Sequence, residues 1–393
     1  MSAAKNSWPR VRLGDVCEIV LGGTPKTTID GYWNGVIPWI TPGEMGKISG
    51  PYVSDTKRKL TAEGLAAGSR LFPEKSVILS TRAPIGYVFI NAVPMCTNQG
   101  CKTLVPSDRL LAEYLYWNLR GRTDELNQLG TGTTFKELST IALKSIELPL
   151  PPLSTQREIV ARLEKELGQV DELAKKFAEL ETTAEAEFKA TLKEMFDEIS
   201  RRGAETRRLG EVCETSAGGT PLKTHREYYE GGKIPWLRSG EVCTRDITST
   251  EMRITQLGVD NSSAKLFPKN TVVVAMYGAT AGQVGILRLK ATTNQAVCGI
   301  FPCEEIVPEF LYYKLFSLKD LMVSQAVGGA QPNISQQKVK SLIVPLPPLP
   351  VQREIVARLD AAKARKEALV DAAKRGLAEA AQMRKAILKE EFE

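Results

Sequence analysis

Two segments of the chain have hydrophobic residues at a spacing of three or four, the pattern of a long helix packed along one stripe. In the first segment, apolar or small residues fall at positions 159, 163, 167, 170, 174, 177, 180, 184, 188, 192, 195 and 199. The second segment has a similar pattern from Ile355 to Ile387 and is richer in alanine. This spacing predicts two helices of about 45 residues, the first beginning with a capping box formed by Thr155 and Glu158.

A lone helix of that length cannot bury its own stripe, so each helix needs a partner. We expect the two helices to pack on each other in antiparallel directions, as a coiled-coil spacer that holds two globular regions apart. The alternative is that each helix docks on its own globular region.

The rest of the sequence has a different pattern. Segments 76–80 and 271–275 are runs of β-type and apolar residues that predict strands, and glycine and proline punctuate their surroundings. Short helical patterns follow at 110–120 and 309–316. Proline-rich segments then end each region, because consecutive prolines continue neither a strand nor a helix. The predicted fold class is α/β mixed.

The two halves of the chain repeat each other. Segment 13–18 matches 209–214, and the eight residues from Gln156 to Leu163 recur without change from Gln352 to Leu359. The offset is 195 to 197 throughout, about half of the 393 residues. The repeat predicts a tandem duplication with four segments: a globular region at 1–150, a central helix at 151–203, a second globular region at 204–346 and a C-terminal helix at 347–393.

Composition is ordinary for a globular protein, with 42% hydrophobic and 25% charged residues. The sequence contains no run of about 18 apolar residues, so it predicts no membrane-spanning helix. Residues 1–12 lack the apolar core of a secretory signal. The seven cysteines are scattered without a Cys-x-x-Cys pair. This argues against a zinc site or a disulfide framework and indicates a reduced, cytoplasmic compartment.

The net charge of +6 is unevenly distributed. Segment 154–200 carries 7 basic and 12 acidic residues, so the basic excess lies outside the central helix. We therefore expect a polyanion to contact the globular regions, and a protein partner to contact the acidic helix.

Catalytic signatures are missing from the sequence. It contains no G-x-x-x-x-G-K-[ST] loop, no G-x-G-x-x-G loop after a strand, and no Asn-Pro-Pro-aromatic tetrapeptide. His225 is the single histidine, which disfavours a multi-histidine metal site. We expect a protein that is not an enzyme and holds no metal or cofactor of its own.

Two similar, mildly basic regions on a spacer suggest recognition of an elongated ligand. Duplex DNA is such a ligand, because the same face of the duplex returns after each helical turn, about every 34–36 Å along the axis. A covalent tandem imitates a dimer while letting its halves diverge, so it can read an asymmetric site.

These motifs give a specific resemblance: the chain resembles the specificity subunit of type I restriction-modification systems. The resemblance rests on two copies of L-G-[DE]-V-C-E, G-G-T-P, I-P-W, and P-L-P-P-L followed by Q-R-E-I-V-A-R-L, in the same order over nearly the whole chain. It implies two target recognition domains, each reading one half of a split DNA site, and two conserved spacer helices.

The resemblance also implies partners. They are double-stranded DNA, two methyltransferase subunits that bind S-adenosylmethionine and methylate adenine at N6, and motor-nuclease subunits that use ATP and Mg²⁺; no membrane is involved. The chain itself is then a non-catalytic subunit. The residues expected to bind the protein partners are those of the repeated helix motif: Gln156, Arg157, Arg162, Gln352, Arg353 and Arg358.

Positions that differ between matching loops are the candidates for sequence readout. Hydroxyl, amide and basic side chains suit phosphate or base-edge contacts. Arg238 can address a guanine edge with two donors, whereas its counterpart Thr41 cannot. The full set of expected DNA-binding residues is Thr24, Lys26, Thr27, Thr41, Arg82, Thr131, Thr133, Thr134, Lys136, Thr220, Lys223, His225, Arg226, Arg238, Ser239, Tyr277, Gln331 and Asn333.

Two other functions stay open at this point. One is a self-contained enzyme that modifies or cuts DNA, which an assay of the chain alone with a methyl donor would detect. The other is a repeat scaffold that binds only proteins, which salt-dependent DNA binding would exclude.

Overall fold

The structure is a computed structural model that describes residues 8–82, 84–132, 136–324 and 333–392. It divides into two compact units: unit 1 comprises Met1–Ala178 and Lys374–Glu393, and unit 2 comprises Glu179–Ala373. Both units are mixed α/β, as predicted. Within the described ranges, no helix has the length and hydropathy needed to cross a membrane. The residue bounds of the four predicted segments stay predictions.

The two units repeat one order of elements. The strands of unit 1 are β1 (Arg10–Arg12), β2 (Cys17–Leu21), β3 (Trp33–Ile40), β4 (Tyr52–Val53), β5 (Arg58–Leu60), β6 (Val77–Thr81), β7 (Ile85–Asn91), β8 (Cys96–Thr97), β9 (Cys101–Pro106) and β10 (Glu147–Pro149). The helices up to the end of the first long helix are α1 (Leu13–Val16), α2 (Pro42–Met45), α3 (Ala62–Gly68), α4 (Ala112–Gly121), α5 (Thr123–Leu129), α6 (Thr140–Ser145) and α7 (Leu153–Arg201).

The strands of unit 2 are β11 (Thr206–Arg208), β12 (Thr215–Ala217), β13 (Ile234–Leu237), β14 (Asp246–Ile247), β15 (Met252–Ile254), β16 (Val272–Ala275), β17 (Val284–Leu287), β18 (Thr292–Thr293), β19 (Val297–Ile300) and β20 (Ile343–Pro345). The remaining helices are α8 (Leu209–Val212), α9 (Gln256–Asp260), α10 (Pro308–Ser317), α11 (Lys319–Ser324), α12 (Gln336–Ser341) and α13 (Leu349–Phe392).

Each unit contains a five-stranded sheet and a three-stranded sheet. The order in unit 1 is β2-β9-β6-β7-β4 and β5-β3-β8, with β1 paired to β10. Unit 2 has the same topology, β12-β19-β16-β17-β14 and β15-β13-β18, with β11 paired to β20. The edge strands β4 and β14 run parallel to their neighbours, while the other pairs of the five-stranded sheets are antiparallel.

The central strands β6 and β16 are buried on both faces, which explains the consecutive apolar residues at 77–79 and 272–275. In β6, Val77 and Leu79 face the core that contains the helices. Ile78 faces a second core with Met45 and Phe72. Alternate side chains of a strand point to opposite faces, so consecutive residues of a strand between two cores are apolar. Ser80 and Thr81, at the end of β6, are also buried, and their hydroxyls donate to backbone carbonyls.

In unit 1, the beginning of α7 packs against the end of α13. Ile159 and Leu163 share one core with Leu388 and Phe392. Farther along, Gly376 lies against the ring of Phe177, where a Cβ atom would come within 2.3 Å of a ring carbon. Since the residue numbers rise on one helix as they fall on the other, the helices are antiparallel.

In unit 2, the roles of the helices are exchanged, because the end of α7 packs against the beginning of α13. Phe188 and Phe196 share a core with Ile355 and Leu359, and Lys366 lies 3.2 Å from Glu185. The predicted antiparallel pairing is therefore confirmed. Both helices also pack on the globular parts of the units, so the contact considered as an alternative occurs as well.

The predicted capping box of α7 is wrong. The helix begins at Leu153, and its backbone bonds start from the proline segment, with Gln156 N donating to Pro152 O at 3.0 Å. Proline lacks an N–H donor but keeps its carbonyl, so it fits the start of a helix without leaving a donor unpaired. Thr155 therefore lies within the first turn.

Candidate nucleic-acid interface

Five loops of unit 1 meet at one edge of its sheets. We call this the polar edge of unit 1 and define it by residues 22–28, 41, 82, 98–100, 131–132 and 136–137. Backbone hydrogen bonds hold the loops together: Gly23 N donates to Thr97 O at 2.8 Å, and Thr81 N donates to Gly100 O at 2.8 Å. Thr131 and Glu137 exchange two further bonds, at 3.0 and 2.9 Å. Residues far apart in sequence thus form one surface.

Unit 2 has the equivalent surface, the polar edge of unit 2, defined by residues 218–226, 238–239, 277–280, 294–296 and 333. Gly219 N donates to Thr293 O at 2.8 Å. The hydroxyl of Thr280 donates to the carbonyl of Ser239 at 2.9 Å, which joins two of the loops. Tyr277 and Asn333 form a backbone bridge, as Arg82 and Glu137 do in unit 1.

The scaffold of the two edges is the same. Trp39 Nε1 donates to Gly23 O at 2.9 Å, and Trp236 Nε1 donates to Gly219 O at 3.0 Å. Both indoles are buried, so they support the glycine loops from within. A Cβ atom on Gly22 would lie 1.8 Å from the carbonyl oxygen of Asn98, so this position admits only glycine without a shift.

A hydroxyl–amide pair is repeated on the surface of both edges. Thr24 donates to the side chain of Gln99, and Thr220 donates to that of Gln295. The expected site residues Thr24 and Thr220 are therefore placed on the edges. The two glutamines were not among the predicted site residues, although their repeated Asn-Gln pair was a usable signal.

Charged side chains differ between the two edges. In unit 1, Arg82 Nη2 donates to Glu137 Oε2 at 2.6 Å, and Lys102 Nζ lies 3.4 Å from the other carboxylate oxygen. The matching positions in unit 2 are Tyr277, Asn333 and Cys298. Unit 1 thus has an ionic cluster where unit 2 is neutral.

The ionic cluster sets the protonation of its members. The hydrogen bond from Arg82, together with the charge of Lys102, holds the pKa of Glu137 below its ordinary value. Burial lowers the pKa of Lys102, whose side chain is 5% exposed. Glu137 and Lys102 were not predicted as site residues. Lys102 lies within β9, and Glu137 directly follows the polar segment whose predicted site residues end at Lys136.

The polar edge of unit 2 has ionic contacts of its own. Arg238 Nε donates to Glu241 Oε1 at 3.2 Å, and its Nη2 is paired with Glu251. His225 Nδ1 lies 2.7 Å from Glu227 Oε1, and its ring stacks on Tyr228 with centroids 4.9 Å apart. These contacts hold Arg238 and His225 at the surface.

The other predicted DNA-binding residues have the following places. Lys26, Thr27, Lys136, Lys223, Arg226 and Asn333 are exposed, whereas Thr41 and Ser239 are half-buried at the start of short helical turns. Thr133, Thr134 and Gln331 lie outside the described residues. Contact of any of these side chains with DNA stays a prediction.

The prediction that Gln156 and Gln352 bind protein partners requires correction. Gln156 and Gln352 are 0% exposed, and their carboxamides are bonded inside the chain. Gln156 accepts from Leu111 N at 2.8 Å and donates to two carbonyls, and Gln352 makes the same contacts with Val307 N and two carbonyls. Side chains without exposed surface do not contact a partner in this conformation, so a structural role replaces the predicted one.

The arginines predicted to bind protein partners are exposed. Arg157 and Arg353 follow the buried glutamines on the outer side of the helices. Arg162 is paired with Glu391 within unit 1, and Arg358 borders a pocket of about 410 Å³ in unit 2. Their role in partner binding stays a prediction.

These observations define a duplicated α/β protein with one divergent polar edge in each unit. A family model described as the type I restriction modification DNA specificity domain matches residues 5–182 and again 202–373. The chain therefore belongs to the type I restriction-modification DNA specificity family and carries the family's domain twice.

Individual relatives agree with this assignment. The specificity subunit of the type I restriction enzyme MjaIX from Methanocaldococcus jannaschii is 29% identical over 365 residues, which cover 88% of this chain and 84% of that protein. The specificity subunit of EcoR124I/EcoR124II from Escherichia coli is 27% identical over 273 residues, with 66% of this chain and 65% of the relative covered.

Solved structures have the same fold. A chain from a study of complex assembly and conformational transition of the type I R-M system matches with a TM-score of 0.79 at 23% identity, covering 98% of this chain and 97% of its own length. The HsdS subunit from Thermoanaerobacter tengcongensis matches with a TM-score of 0.62 at 23% identity and the same coverage.

Proposed function

We propose that this chain is the non-catalytic, sequence-reading subunit of a type I restriction-modification complex in the cytoplasm. Each unit reads one half of a bipartite, asymmetric DNA site through its polar edge. The observation that carries the proposal is the combination of a repeated scaffold with divergent side chains: both edges have the same glycine loop, tryptophan and Thr–Gln pair, but different charged groups.

The physical argument rests on what such an edge offers to DNA. Exposed lysine, arginine, threonine and amide side chains are the groups that contact phosphates and base edges. Equivalent scaffolds place both edges in the same manner against a duplex, and unlike side chains then select unlike base sequences. The fold is thus suited to an asymmetric site.

The partners are two methyltransferase subunits, which hold S-adenosylmethionine and transfer its methyl group to adenine N6, and motor-nuclease subunits that use ATP and Mg²⁺. This chain supplies the position on DNA and holds none of these cofactors. The exposed arginines of the repeated helix motif, Arg157, Arg162, Arg353 and Arg358, contribute to the docking of the methyltransferases. The relatives named as specificity subunits of type I restriction enzymes support this assignment.

The test is co-expression of the chain with the methyltransferase subunit of its host. The native mass of the complex gives the stoichiometry, and sequencing of methylated adenines gives the motif. We expect two methyltransferases for each copy of this chain and a split, asymmetric motif. Absence of a complex together with absence of adenine methylation would contradict the proposal and favour the scaffold function. Methylation by the chain alone would favour the enzyme.

A further inference from the structure

Each polar edge carries one arginine that is held by carboxylates, and the two arginines occupy positions that do not correspond. Arg82 lies after β6 in unit 1, where unit 2 has Tyr277. Arg238 lies after β13 in unit 2, where unit 1 has Thr41. An arginine paired with carboxylates therefore occurs in two different loops of the same scaffold.

Arg82 is held by a carboxylate that is itself paired with a buried lysine. Its Nη2 donates to Glu137 Oε2 at 2.6 Å, and Glu137 is in turn 3.4 Å from Lys102 Nζ. Lys102 is anchored below the surface by donating to Leu138 O at 2.6 Å. The side chain of Arg82 nevertheless remains 47% exposed.

Arg238 is fixed in a comparable way. Its Nε donates to Glu241 Oε1 at 3.2 Å, and its Nη2 is paired with Glu251. Glu241 is only 12% exposed and is itself held, because Glu251 N donates to its second oxygen at 2.8 Å. The side chain of Arg238 remains 40% exposed.

A guanidinium group has five N–H donors in one plane, two of them on each terminal nitrogen. In Arg82 and Arg238 a carboxylate is bonded to Nη2, which leaves the second N–H of Nη2 and both N–H groups of Nη1 for a further acceptor. Two such donors match O6 and N7 of guanine in the major groove, the commonest specific contact of arginine. A side chain fixed before binding also loses less conformational entropy on contact. Tyr277 and Thr41, at the matching positions, have no such fork of donors.

We propose that Arg82 reads a guanine in the half-site of unit 1 and Arg238 reads a guanine in the half-site of unit 2, from different loops. Since the loops differ, the two guanines lie at different offsets within their half-sites. This inference rests on the proposed function and adds to it the residues that determine specificity.

A purely structural role for the two ion pairs predicts a different outcome. If Arg82 only fastens its loop to Glu137, its loss weakens contact with every DNA sequence to a similar degree. If Arg82 reads guanine, its loss relaxes the motif at one base pair of one half. The pattern of methylated sites separates these roles.

The experiment maps methylated adenines in cells that make the complex of methyltransferase subunits with the wild-type chain, Arg82→Ala, Arg238→Ala or the control Arg12→Ala. Arg12 is exposed on β1, outside the polar edge. We expect a G·C pair in each half of the wild-type motif. Arg82→Ala lowers the preference for guanine by roughly 10- to 100-fold at one position of one half, Arg238→Ala does so in the other half, and Arg12→Ala leaves the motif unchanged.

Arg82→Lys provides a second variant that keeps the charge and removes the planar fork. It is expected to methylate at a near wild-type level while losing the guanine preference. The inference is overturned if a wild-type half lacks a G·C pair, if Arg82→Lys retains the complete motif, or if the arginine variants weaken all sites equally. A wild-type complex without any bipartite motif overturns the proposed function instead.

Discussion

The carboxamide oxygen of Gln156 accepts a hydrogen bond from the backbone nitrogen of Leu111 at 2.8 Å. The carboxamide nitrogen donates to the carbonyls of Arg109 and Pro151, each at 2.9 Å. One side chain thereby joins the first turn of α7, the proline segment before it and the start of α4. Gln352 makes the same set of bonds in unit 2.

Gln156→Ala is expected to destabilise unit 1 by about 2–3 kcal/mol, because it leaves the buried N–H of Leu111 and two carbonyls without a partner. Unfolding in urea, followed by fluorescence and circular dichroism, measures the loss. Arg157→Ala is the matched control, since its exposed side chain is expected to change stability by less than about 0.5 kcal/mol. Equal effects of the two substitutions would contradict the structural role of Gln156.

Two glycines with opposite surroundings give a second prediction. Gly22→Ala places a Cβ atom 1.8 Å from Asn98 O, so the glycine loop must move and DNA binding by unit 1 is expected to fall. Gly168 lies within α7, and apart from the adjoining helix backbone no atom lies within 4 Å of a Cβ placed there, so Gly168→Ala is expected to stabilise unit 1 by about 0.5–1 kcal/mol. Thermal unfolding of both variants measures the change in stability, and the DNA affinity of the assembled complex measures the effect on binding. Normal DNA binding by Gly22→Ala would count against the polar edge of unit 1.

Lys223 is exposed on the polar edge of unit 2 and is expected to contact phosphate. Lys223→Ala should weaken binding to specific and nonspecific duplexes alike, and the slope of log K against log salt concentration should fall by about 1. Lys269→Ala is the control, because Lys269 is an exposed residue before β16, at the other end of the strand from Tyr277. A change confined to one DNA sequence would instead show that Lys223 reads a base.

The ionisation of Glu137 predicts a pH dependence. Its pKa in the folded chain is held below the ordinary 4.5, with the Arg82 hydrogen bond as the main cause. A lowered folded pKa means that the cluster contributes stability above pH 4.5 and loses it as pH falls through the folded pKa. The difference in unfolding free energy between the wild type and Glu137→Gln should therefore shrink below pH 4.5. A constant difference across that range would contradict the ion cluster.

The sequence predicted the elements whose pattern is periodic. The stripe of α7 and the offset of the repeat led to the antiparallel helix pair and to the duplicated α/β fold, because burial of a stripe requires a partner. It did not reveal that Leu388 and Phe392, at the end of the chain, complete the core of unit 1. A contact with residues more than 200 positions away leaves no local pattern.

The candidate site was predictable only in part. Loops that match but differ between the halves identified Arg82 and Arg238, whereas Glu137 and Lys102 joined the site through tertiary contacts alone. For Gln156 the error was the opposite one, because the sequence predicted a partner-binding residue where the structure has a buried side chain. Identity between repeats was interpreted as a shared partner surface, but a shared buried hydrogen bond produces the same identity.

The central claim is that each unit reads one half of the site independently. A hybrid chain in which residues 204–346 replace residues 8–150 carries two copies of the polar edge of unit 2. Mapping of methylated adenines made by its complex tests the claim most directly. The account predicts that both halves of the motif then have the base sequence read by unit 2. Retention of the wild-type asymmetric motif by the hybrid would contradict it.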